Sequence, residues 1–208
     1  HRESVFAGIE QCPVRRPLGP AVEQGVFDHN AVENDYAEHG LRKPALWAVC
    51  AAKMSRAEQY SVQYLVEHGK TLGGAPDDPR TFIELEEQYH TRILEDALRA
   101  LGLKAQFRRP AWRTRMALHV ILALPHWLSD LTVLCGELIG VASFKLLLAS
   151  ARELFADEPS TLRRIEYLLN QIIVDELGHV LYLRSVLGPV RLGLARLLLP
   201  IVAQAIVS

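Results

Sequence analysis

The sequence predicts an all-α protein. Four long stretches carry apolar residues at helical spacing and are bounded by proline, glycine and capping residues. No window alternates apolar and polar residues as a half-buried strand does, and no Asn-Gly hairpin signal occurs. Inside two of the stretches sits a repeated pattern, an acid followed by Glu-x-x-His: Glu86-Glu87-Gln88-Tyr89-His90 and Asp175-Glu176-Leu177-Gly178-His179.

Residues 1–42 hold Pro13, Pro17 and Pro20 with no sustained period, and read as an irregular N-terminal arm. The first helix is expected from Pro44 to His68, closed by Gly69. Asp77-Asp78-Pro79 supplies a cap and a first-turn proline for the second, which ends near Leu101-Gly102. A shorter helical stretch is expected over about 111–123, before Pro125 resets the chain. The third long helix is placed at His126–Phe155 and the fourth from a Ser160 cap to Leu187. Beyond Gly188-Pro189, residues 188–208 form an apolar C-terminal helix. Val190, Leu194, Leu197, Leu198 and Ile201 share one of its faces.

With 208 residues, 50% hydrophobic, the chain is long enough for one domain with a substantial core. Net charge of −1 and scattered arginines give no basic footprint, which argues against nucleic acid as a partner. Cys12, Cys50 and Cys135 have no paired spacing, so neither a disulfide framework nor a zinc ribbon is expected. That cysteine usage, with no secretory signal pattern visible at the N-terminus, leads us to expect a cytoplasmic location. Leu131 to Ala151 is apolar except for Glu137 and Lys145 and approaches membrane-spanning length. A mid-span glutamate is expensive in lipid, so burial inside a soluble helical protein is the preferred reading. The C-terminal helix is likewise expected to pack on the other helices, as a lid or a homodimer contact. Attachment to a membrane surface is the less favoured reading, because its arginines are few.

The doubled motif carries the chemistry. With 16 Glu and 8 His, a bare Glu-x-x-His arises by chance about 0.6 times, but requiring a preceding acid lowers this to about 0.07. Residues three apart share a helix face, so each copy aims a carboxylate and an imidazole at one point. Glu58 and Glu137 are candidate partners on the first and third helices. Their depth supports them, because antiparallel neighbours bring together positions equidistant from their turn. Glu58 lies ten residues before His68 and Glu87 eight after Pro79; Glu137 lies eighteen before Phe155 and Glu176 sixteen after Ser160. Val133, Leu134, Gly140, Val141 and Phe144 surround Glu137 with an apolar face on which a lone carboxylate is costly. Four glutamates and two neutral histidines carry −4, which two divalent ions balance. The expected metal ligands are therefore Glu58, Glu87, His90, Glu137, Glu176 and His179. Carboxylate and imidazole donors suit iron, with manganese or a mixed Mn/Fe pair using the same ligands. Asp130 shares the Glu137 face and is either an outer acid of the site or a favourable charge near a helix start.

These residues, in this order, resemble the ferritin-like di-iron carboxylate superfamily, whose pattern is Glu, Glu-x-x-His, Glu, Glu-x-x-His on four successive helices. The resemblance covers roughly residues 43–187 and implies a ferritin-like four-helix bundle there. It implies two iron ions, with Glu87 and Glu176 bridging and Glu58 a terminal ligand. It also implies that Glu86 and Asp175 hydrogen-bond the far nitrogen of the opposite helix's histidine. The activity implied is that of a non-haem di-iron oxygenase or oxidase. It would use O2, an external electron donor and a small or moderately apolar organic substrate. A ferroxidase or storage protein and a membrane-surface quinone-type hydroxylase are the alternatives within the resemblance. A structural helical bundle with a coincidental motif is the alternative outside it. Arylamine N-oxygenases of this superfamily usually add a histidine one turn before the last glutamate; Ile172 stands there, which speaks against a seven-ligand site.

Overall fold

The computed structural model describes residues 43–67, 79–104, 112, 116, 119–120 and 124–207. The arm expected over 1–42, and most of the helix expected over 111–123, lie outside them. Among the described residues there are four long helices and no strand: α1 Lys43–Glu67, α2 Pro79–Ala100, α3 His126–Leu154 and α4 Pro159–Val207.

The helix ends follow local chemistry. After α2, Gly102 takes φ 75°, so that its N–H reaches the Arg99 carbonyl at 2.9 Å and the Leu103 N–H reaches that of Leu98 at 3.1 Å. This double closure satisfies carbonyls the helix would leave open, and the buried Leu103 side chain anchors it. The start of α4 differs by two residues from the Ser160 cap expected from sequence. The Glu158 carbonyl accepts the Leu162 N–H at 2.9 Å, and Pro159 occupies the first helical position. A proline costs nothing there, because its missing N–H would have found no partner within the helix.

The α4 segment is interrupted once. Gly188 has φ 69° and ψ 168°, outside helical space, and Pro189 follows it. Proline disfavours helical geometry in the residue before it, and glycine adopts the resulting positive φ without a Cβ penalty. The helix resumes to Val207, past a second proline at Pro200.

The chain forms two compact units. One comprises His1–Arg109 with Leu146–Gln171, the other Pro110–Lys145 with Ile172–Ser208. In the first, α1 packs against α2, the Ser55 hydroxyl donates to the Thr91 carbonyl, and Ala45, Ala48, Ala51 and Ala52 of α1 are buried. Trp47 anchors the other side of α1: its ring meets Phe155 edge to face at 5.4 Å, and its indole N–H donates to the Leu147 carbonyl at 2.8 Å. Arg152 and Glu166 pair at 2.6 Å, an exposed bridge of modest worth.

In the second unit, Leu131, Leu134, Cys135 and Val141 pack with Val180, Leu183, Leu187 and Ala195. Burial raises the Cys135 thiol above its usual pKa, and the thiol lies 3.6 Å from the Ala195 carbonyl, as a small buried hydrophobe does. Leu192, Leu198, Leu199 and Val202 lean on this cluster from beyond the kink. Val190, Leu194, Leu197 and Ile201 are exposed. Most of the apolar face picked out by sequence periodicity for packing is thus the outward one. The segment is apolar almost all round, so its pattern cannot say which side is buried.

Candidate metal centre

Each ligand half is built locally. On α2, Glu87 and His90 stand three residues apart and are both buried, with His90 Nδ1 3.9 Å from Glu87 Oε2. Glu58 on α1 is half-buried, and Ala51 and Val62, on the same face of the helix, are buried. On α4, Glu176 and His179 are each 2% exposed, too little for solvent to support their charge. His179 Nδ1 lies 3.2 Å from Glu137 Oε2 of α3. In both histidines the nitrogen facing a carboxylate is Nδ1, which leaves Nε2 directed away from it.

All six expected ligands fall into two groups of potential metal donors. Glu58, Glu87, His90 and Glu176 form one, and Glu87, Glu137, Glu176 and His179 the other; within each, one donor atom per residue lies within 4.8 Å of the rest. Glu87 and Glu176 belong to both groups. Three of the four residues in each group are buried. Buried carboxylates crowded to this extent repel one another unless protons or cations intervene, so the donor set and its burial both fit a metal ion.

Gly140 is a contributor that the sequence pattern undersold. It sits one turn after Glu137 on α3, where it reads as part of an apolar face. A Cβ added there would lie 2.9 Å from Glu176 Oε2, closer than side-chain atoms tolerate. The glycine is the space that the Glu176 carboxylate occupies. A small residue three positions after a candidate ligand was the available signal.

Glu86, Asp175 and Asp130 are half-buried and belong to neither donor group. Tyr60 is buried, while Tyr89 and Tyr182 are half-buried, Tyr182 against the apolar cluster of the second unit. His119 is exposed. Buried Glu and His groups able to hold a metal ion are thus present among described residues that form helices and no strand. Set beside protein families, curated proteins and solved structures, the chain matches none of them.

Proposed function

We propose that this protein is an O2-dependent di-iron oxygenase or oxidase with a ferritin-like helical arrangement, acting on a small or moderately apolar organic substrate with an external electron donor. The observation that carries this reading is the sharing of Glu87 and Glu176 by two donor groups, each completed by its own histidine and its own further glutamate. A single-ion site has no use for a second histidine and a second outer glutamate. Two ions bridged by two carboxylates use every donor once or twice.

Two ferrous ions held by these residues would supply the redox chemistry towards O2, with the substrate and an external donor providing the remaining electrons. The residues of the chain do the rest. Glu58 and His90 would hold one ion and Glu137 and His179 the other, with Glu87 and Glu176 available to both. Glu86 and Asp175 orient the imidazoles from outside. Buried Leu134, Val141 and Phe144 line the Glu137 face of α3, keeping water from the carboxylate and presenting only C–H groups beside it.

Anaerobic titration with ferrous iron tests the reading directly. We expect two ions per chain, and about one or none after His90→Ala or His179→Ala, with O2 uptake by the reduced protein falling in step. Binding of well under one ion per chain to the unaltered protein would refute the site. Growth of a large ferric mineral on repeated iron addition would replace the oxygenase by an iron-storage function.

A further inference from the structure

Among the described residues, eighteen large apolar side chains are exposed, and thirteen of them belong to the second unit. They are arranged rather than scattered. On α4 they run through Val174, Leu177 and Leu181 before the kink, and through Val190, Leu194, Leu197 and Ile201 after it, at three- and four-residue spacing. Val190 is 78% and Leu197 73% exposed. α4 is apolar and long enough to pass for a membrane span by composition, yet only 11% of its most apolar window is buried. An apolar face of this extent on a soluble surface marks a contact.

The charges around the face select its occupant. After Glu176 the sequence contains no acid, and its charged residues are Arg184, Arg191 and Arg196. Residues 110–129 add Arg113 and Arg115, again without an acid. Of the four acids in the second unit, Glu137 and Glu176 belong to the donor groups and the other two, Asp130 and Asp175, are half-buried. At 3.6 residues per turn, Arg191 lies about 100° to one side of the Val190–Ile201 stripe and Arg196 about 120° to the other. Arg196 is exposed and Arg191 half-buried at the edge of the packed side, and long arginine stems at such positions can carry their guanidinium groups to the flanks of the exposed stripe. Trp127, exposed at the start of α3, adds an aromatic side chain of the kind enriched where water meets lipid headgroups.

We propose that the second unit rests on an anionic lipid surface, with the exposed stripe of α4 in the headgroup region and the arginines on lipid phosphates. The opposite side of the same helix favours a surface position over an isolated span. Leu192, Ala195 and Leu199 pack on the protein's own core, so lipid can reach only the outward face. A second copy fits poorly as well, because a two-fold contact through the stripe sets the arginine flanks of one chain beside those of the other.

Flotation of the full-length protein with phosphatidylcholine vesicles, with and without phosphatidylglycerol, tests this surface independently of the metal centre. We expect co-flotation with the anionic vesicles only, weakening as salt is raised. Val190→Glu with Leu197→Glu should abolish it. Should that pair fold poorly, Arg191→Gln with Arg196→Gln leaves the stripe intact and should weaken vesicle affinity about 30-fold. Metal content should be unchanged in both. Three results would overturn the proposal: no flotation with either vesicle, a dimer in solution that Leu197→Glu dissociates, or release from membranes by detergent alone.

Discussion

Gly140 shows how much can depend on a missing side chain. Its single α-hydrogen leaves the volume that the Glu176 carboxylate fills, and Glu176 is common to both donor groups. Gly140→Ala should push that carboxylate aside and weaken metal binding about 10- to 100-fold, in the range of losses seen when ligand orientation is disturbed. Titration with Co(II) alongside far-ultraviolet circular dichroism checks this, since the helix itself gains from alanine. That these six residues lie close enough to form two candidate donor groups was legible in the sequence, because Glu-x-x-His fixes its own geometry and because depth along a helix can be counted. The close approach of Gly140 to Glu176 was not. It depends on the azimuth of one helix against another, about which a one-dimensional pattern says nothing.

At the scale of the elements, helix ends were the most readable feature, because proline and glycine act on their immediate neighbours. α2 ends at Ala100 and α3 runs His126–Leu154, each within a residue or so of the expected positions, and the interruption of α4 falls at Gly188. The burial of Trp47 was less readable. Its partners, Leu147 and Phe155, are a hundred residues away in sequence. Trp47→Ala should cost about 3–5 kcal/mol, through the lost ring contact and the cavity left behind, read as a fall in the denaturant midpoint. The orientation of the C-terminal helix was misread for a different reason: where nearly every residue is apolar, period cannot separate inside from outside. Truncation after Leu187 removes Ala195 and the leucines leaning on Leu131, Leu134 and Cys135. We expect the shortened protein to lose solubility and retain metal, since every donor lies upstream. Light scattering and metal analysis on one sample check both halves of that expectation.

For the molecule as a whole, the chain places two demands on one set of helices. Glu87 and Glu176 must leave water and Glu58 and Glu137 leave it in part, while a broad apolar face must remain in contact with it until something covers that face. The donors are drawn from positions 58 to 179, so the free energy of their mutual repulsion is spread over most of the described chain. An ion that binds only the folded form stabilises it by mass action, by about 2.7 kcal/mol when free metal stands at a hundred times its dissociation constant. Thermal melts at graded free Mn(II) should therefore shift continuously with metal activity, and a melt independent of metal would show that the donors are not used together. If the donors are used together, a chelator would act on the protein as a mild denaturant, and the metal supply of its surroundings would set how long each chain lasts.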